Sequence, residues 1–208
     1  WGVRLREVRV IPDVERTIVD TVNEVRAKFD YVFTTGGIGP THDDITAESI
    51  AKAFGVAIAV DPRARALMQA SCDARGVELT PARLRMARLP AGSEMVENAI
   101  SIAPGFMIGN VIVMAGIPRI MQVMLDAVAP RLKKGRPMLS QSVRIEAPEG
   151  DVAPGLAAIQ AAHPEVQIGS YPFFEKGKLG TYVVLRSVEA NALDHVFGAL
   201  WELIAAEK

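Results

Sequence analysis

Cysteine occurs once in the 208 residues, as Cys72. No intrachain disulfide can form, and a reducing, cytoplasmic compartment is the expected setting. Histidine is nearly as scarce, and His42, His163 and His195 lie far apart in sequence. No zinc-ligand spacing, nucleophile elbow or Ser-His-Asp pattern is legible. No uninterrupted apolar run approaches the length needed to cross a membrane. Charge of one sign is also missing, since the formal net charge is −1. The balance gives no reason to expect nucleic acid as a partner. The basic cluster Arg131, Lys133, Lys134 and Arg136 reads as a solvent-facing helix end. No internal repeat, low-complexity segment or signal peptide is visible, and the chain opens at Trp1 without Met, so an upstream piece is expected.

What remains is an ordinary globular composition, 50% apolar and 23% charged. Arg6 to Ile11 alternates as a strand would, and Asp13 stands at the N-cap position of a helix. That helix carries Val14, Ile18, Val22, Val25 and Phe29 on one stripe. Tyr31 to Thr35 reads as a buried strand, Ala47 to Phe54 as a helix capped by Thr46 and stopped by Gly55, and Val56 to Val60 as a strand. Asp61-Pro62 and Thr80-Pro81 each announce a helix, the first running to Arg75 and the second to about Arg88. Residues 90 to 110 read as irregular, Val111 to Ala115 as a buried strand, and Pro118 as the start of an apolar-striped helix closed by Gly135. Strands alternating with helices predict an α/β fold, a three-layer α/β/α arrangement around a mostly parallel sheet, over residues 1–135. Past Gly135-Arg136-Pro137 the order becomes βαββα, a small α+β appendage over 136–208, with a hairpin turn "EKGKLG" whose Gly177 and Gly180 supply positive φ. The aromatics of "SYPFF", residues 170 to 174, are expected in packing.

One loop stands out. "TTGGIGPTHDD" joins a strand to a helix, at the edge where ligands bind in such sheets. Gly36, Gly37 and Gly39 lack Cβ, so a ligand can approach their N–H groups closely. The spacing is neither a dinucleotide fingerprint nor a P-loop. Spacing alone leaves a tight turn and a phosphate loop both open. Asp44 has a structural role to play near the helix start, where the dipole favours a carboxylate. Beside a phosphate site it has two other uses: holding a divalent cation, or accepting paired N–H groups from a heterocycle. Asp13 faces the same choice, with N-capping as the plain reading. Gly116-Ile117-Pro118 ends a further strand at the same edge and is explained by a helix start.

Taken together, "VIPD" before a helix, then "TTGGIGPTHDDIT", then a late "GIP" resemble the molybdopterin-binding domain family of molybdenum-cofactor biosynthesis. The match resembles most the version in competence/damage-inducible protein A and in the front domain of some FAD synthases. "TPARLRMARLPAGSEMVENAISIAPGF" is similar to that branch, and "IGSYPFF" with "GTYVVLR" to the tail of its stand-alone members. The resemblance implies a pocket for a pterin phosphate or a related nucleotide, and a homo-oligomer, trimer or dimer. Thr35, Gly36, Gly37, Gly39 and Pro40 fall on the family's glycine loop, Asp13 on its "PD", and Asp44 and Thr46 on its "D-x-T". Gly116 and Pro118 fall on its Pro-Gly-x-Pro, where Ala115 departs from the pattern. The family's first strand and its Gly-Asp-Glu loop have no counterpart here. Two further functions stay open. One is a pyrophosphatase acting on ADP-ribose- or FAD-like diphosphates, with Asp13 and Asp44 as catalytic residues holding Mg, Mn or Co. The other is an assembly module without chemistry.

Overall fold

A computed structural model describes residues 2–175 and 177–206. They form two compact units, one spanning Arg6–Leu132, the other joining residues 2–5 to 133–206.

In the first unit the element order is α1 (Glu15–Lys28), β1 (Val32–Thr35), α2 (Thr46–Phe54), β2 (Ile58–Val60), α3 (Pro62–Ala74) and α4 (Pro81–Arg85). It continues with β3 (Arg88–Pro90), β4 (Glu94–Val96), β5 (Gly105–Ile108), β6 (Val111–Met114) and α5 (Pro118–Val128), then a short 3-10 turn, Ala129–Arg131. The main sheet has the order β1-β6-β5-β4, and β2 pairs with β3 apart from it. β1 and β6 run parallel, Thr35 opposite Met114, while β6–β5 and β5–β4 are antiparallel. The fold is therefore α/β with a mixed sheet rather than a mostly parallel one. The antiparallel share of the main sheet comes from β4 and β5, which fall within residues 90–110, where an irregular stretch was expected; β3 begins at Arg88, where the Thr80 helix was expected to end. Each is three or four residues long, too short for its period to stand out among Pro, Gly and Asn.

β6 shows how the core is built. Val111 and Val113 face a cluster with Ile18 and Val22 of α1, Ile50 of α2 and Met68 of α3. Ile112 and Met114 face the opposite way, against Ile120, Met124 and Val128 of α5. Alternation along one strand thus feeds two cores. Each such buried side chain stabilises by about 1.5–3 kcal/mol relative to exposure. Local chemistry sets the helix ends as expected at three places. Asp61 accepts from the N–H groups of Arg63 and Ala64, Thr80 accepts from Arg83, and Gly55 ends α2 at φ 65°.

Several local expectations fail, and α4 stops at Arg85 and α5 at Val128, short of Arg88 and Gly135. Residues 6–11 form no strand, because among the described residues no ladder pairs with them. Arg9 instead forks onto Glu24, Lys28 reaches Glu7, and Ile11 packs on the core, leaving Val8 and Val10 exposed. Asp13 is not the N-cap of α1. Val14 holds that position with no side-chain cap, and Asp13 lies exposed before it. Thr46 is the first residue of α2, with Ile45 at the N-cap.

In the second unit, β7 (Leu139–Ile145), α6 (Glu149–Ala162), β8 (Gln167–Glu175), β9 (Lys178–Ser187) and α7 (Ala190–Ala206) follow the expected βαββα order. The sheet is antiparallel, β7-β9-β8. Val143, Val183 and Leu185 pack against Val152, Leu156, Val196 and Leu200 of the two helices. Gly177 has φ 78°, but Gly180 lies in β9 without positive φ. Its need is space, since a Cβ there would sit 2.1 Å from the Phe173 ring. Phe173 packs on Tyr182 with centroids 4.8 Å apart, and the Arg144 guanidinium lies over Phe173. Phe174 is exposed.

Candidate functional site

The carboxyl end of β1 passes directly into the glycine loop. Gly36 N–H donates to Met114 O at 2.9 Å, extending the parallel pairing by one residue. Gly36 and Gly37 then take φ of 97° and 67°, a region that L side chains rarely adopt. A Cβ on Gly37 would stand 2.0 Å from Thr46 Oγ1, and one on Gly39 2.5 Å from Asp44 Oδ2. A Cβ on Gly116 would come 3.1 Å from Gly36 Cα, so the two loops meet backbone to backbone. Gly37, Gly39 and Gly116 are thus required by named contacts and Gly36 by its positive φ, reasons that the spacing alone did not reveal.

The donors in this loop are unequally committed. Gly36 N–H is spent on Met114 O, and Thr46 N–H donates to Gly37 O at 2.9 Å. Among the described residues no backbone carbonyl accepts the N–H of Gly37 or Ile38. The first-turn N–H groups of Ala47 and Glu48 in α2 also lie beyond intrahelical pairing. Thr35, Pro40, Gly116, Ile117 and Pro118 are exposed around this rim, with Pro118 opening α5 just as Thr46 opens α2.

Asp44 closes the loop. Its Oδ2 accepts from Thr41 N–H at 2.9 Å and from Thr41 Oγ1 at 2.5 Å, while Asp44 N–H returns to Thr41 O at 3.3 Å. Partial burial opposes ionisation of this carboxyl. The Thr41 hydroxyl, the N–H groups of Thr41 and Gly39, and the charge of Arg85 outweigh it and hold the pKa below its ordinary value. Asp43 beside it is exposed.

Asp13 precedes α1 and is exposed. α1 is anchored at its far end, where Asn110 Nδ2 donates to the carbonyls of Arg26 and Phe29. Fourteen residues, ~21 Å of helix, separate that end from Glu15. Asp13 therefore lies away from the sheet's amino edge, but it is exposed and makes no hydrogen bond or ion pair among the described residues. No three His, Cys, Asp or Glu side chains converge among those residues. Asp44 Oδ2 takes both Thr41 donors.

Sequence reasoning missed two residues. A cleft beside Gly39 and Asp44 is lined by Arg85 and Arg88, with Glu48 between them. Arg85 Nη2 donates to Asp44 O at 3.3 Å and lies 3.5 Å from Glu48 Oε1, which also accepts from Arg88 Nη1 at 2.5 Å. Their signal was the "RLRMAR" run, in which a short helix hands over to β3.

Known proteins share this organisation. The profile of a family described as a probable molybdopterin binding domain matches residues 1–134, and that of the FAD synthase middle domain matches 137–208. A protein of Pyrobaculum calidifontis is 35% identical over 180 residues, covering 82% of this chain and 69% of its own length. A CinA-like protein of Myxococcus xanthus is 32% identical over 183 residues, covering 81% of this chain and 43% of its own. Among solved structures, the protein CinA, of unknown function, from Thermoplasma acidophilum superposes with a TM-score of 0.51 at 33% identity. That match covers 57% of this chain and 72% of the solved one.

Proposed function

This chain belongs to the molybdopterin-binding domain family, in its CinA-like form, and we propose that its glycine loop binds the phosphate of a pterin phosphate or of a related nucleotide. The observation that carries this reading is the pair of uncommitted N–H groups at Gly37 and Ile38 on an exposed rim. Backbone donors held in fixed positions suit a phosphate, and the α2 amino end adds a favourable dipole. The missing side chains at Gly36, Gly37 and Gly116 let the ligand reach that backbone. Exposed Ile117 offers an apolar wall next to the same rim.

Asp44 acts here first as the clamp that shapes the loop. Its Oδ2 is spent on Thr41, and Oδ1 is the acceptor left for a heterocycle N–H. A carboxylate turned toward its own loop does not repel a phosphate held at Gly37 and Ile38 as a bare one would. Binding is what this geometry supports.

Calorimetry with a pterin phosphate tests the reading. Wild type is expected to bind, and Gly116→Val, which pushes a side chain against Gly36, is expected to lose most of the affinity. Equal affinity in the two proteins would remove the glycine rim from the site. Ligand that binds only the folded state also raises the melting temperature, and the valine variant is expected to lose that rise.

A further inference from the structure

We infer that the cleft next to the glycine loop is a second oxyanion subsite, in which Arg85 and Arg88 take a phosphate or carboxylate carried by the ligand and Glu48 is the counter-charge it displaces. The inference rests on the binding reading above for where the ligand lies, and it is tested separately from it.

Two guanidinium groups carry five N–H donors each. Only three contacts employ them here, one to Asp44 O and two to the single oxygen Glu48 Oε1. Both side chains are about two-thirds buried, at 34% and 32% exposure, so these unspent donors are not freely hydrated. Ile38, Pro104 and Phe106 form apolar walls of the same cleft, and limiting water there strengthens any charge contact. Ala47 and Glu48, whose N–H groups have no partner within the helix, line it too.

The charge balance explains why the subsite is reversible. Arg85 and Arg88 against Glu48 leave one positive charge in excess. Asp44 also lines the cleft and cancels that excess, although its Oδ2 is spent on Thr41. A neutral cleft with surplus donors does not trap every passing anion. It favours one that is delivered beside Gly39 by a ligand already held at the loop and that can replace Glu48 on Arg88. One wall is also held in an unusual conformation. Ile102 has φ 68°, costly for a β-branched residue, and Asn98 pins its turn by bonds to Ile100 N–H, Ser101 N–H and Ala103 O. Pro104 follows directly and faces the cleft.

Calorimetric titration with inorganic pyrophosphate, and in parallel with malonate, tests this on wild type, Arg88→Met, Glu48→Gln and Gly116→Val. Arg88→Met is expected to weaken pyrophosphate binding at least tenfold. Glu48→Gln keeps an acceptor for Arg88 but removes the competing charge, so it is expected to tighten binding about three- to tenfold. A gain of affinity cannot come from poor folding. If malonate follows the same pattern the subsite takes carboxylates as well; if only pyrophosphate does, it takes phosphoryl groups. Glu48→Gln without tightening overturns the inference, even if Arg88→Met weakens, and so does a wild type that binds neither probe. If only Gly116→Val weakens binding, the loop reading stands and the arginine subsite falls. If the Arg88 and Glu48 variants respond as expected while Gly116→Val is silent, the reverse holds.

Discussion

Replacing Asp44 with alanine removes one acceptor from two donors at once. Thr41 N–H and Thr41 Oγ1 both donate to Asp44 Oδ2. A hydrogen bond to a charged group contributes about 1.5–3 kcal/mol when well sheltered. Here the two share one oxygen, and Thr41 is exposed, so its donors are rehydrated when the carboxylate is gone. The expected loss is about 1–2 kcal/mol for Asp44→Ala and about half that for Asp44→Asn, which keeps a neutral acceptor. The assay must read one unit of a two-unit chain. Cys72, the single thiol, is buried in the Arg6–Leu132 unit, so its labelling in urea reports the opening of that unit. A pyridyl disulfide keeps the labelling usable at acid pH. The pH dependence adds a sign. The folded pKa of Asp44 lies below its ordinary 3.8, so the contribution is fully present above that value and disappears as pH falls through the folded pKa. The gap between wild type and Asp44→Ala should therefore be full at pH 7 and should close as the pH drops below about 3.8. Equal urea midpoints at pH 7, or a gap that stays constant into the acid range, would show that the carboxylate does not hold the loop.

Other perturbations have outcomes as definite. Gly37→Ala forces a side chain into the left-handed region and onto Thr46 Oγ1, and should cost about 2–4 kcal/mol by the same labelling assay. Asp61→Ala removes the cap of α3 and should cost about 1 kcal/mol at neutral pH. Arg63 beside Asp61 holds its pKa down to about 2. That stabilisation is present above the unfolded value of 3.8 and is lost as pH falls toward 2, so wild type and variant should converge there. Met124 is fully buried against β6, and Met124→Ala should cost about 2–5 kcal/mol in a urea titration, with no change in pyrophosphate affinity.

Much of this molecule is written locally. A carboxylate before proline starts α3, threonine before proline starts α4, and glycine in the left-handed region stops α2. Each depends on neighbours within four residues, so the sequence reading found each one. The glycine loop was legible as a place where backbone must be bare, and Asp44 as a carboxylate near a helix start. Which contact demanded each glycine was not legible. Thr46 and Asp44 supply those contacts for Gly37 and Gly39, and Gly36, eighty residues away, supplies the one for Gly116.

The strand expected at residues 6–11 shows the opposite case. Alternation there is real, with Glu7, Arg9 and Ile11 turned to the protein and Val8 and Val10 to solvent, yet a strand exists only when another pairs with it. β3, β4 and β5 show the converse, since weak local patterns became strands because neighbours paired with them. The starts of α3 and α4 and the end of α2 are set by residues close along the chain, so they are legible without the fold. Only the packed fold brings Arg85 and Arg88 to Glu48 beside Gly39. The physical reason is that hydrogen bonds and ion pairs between distant segments form only after burial has brought those segments together.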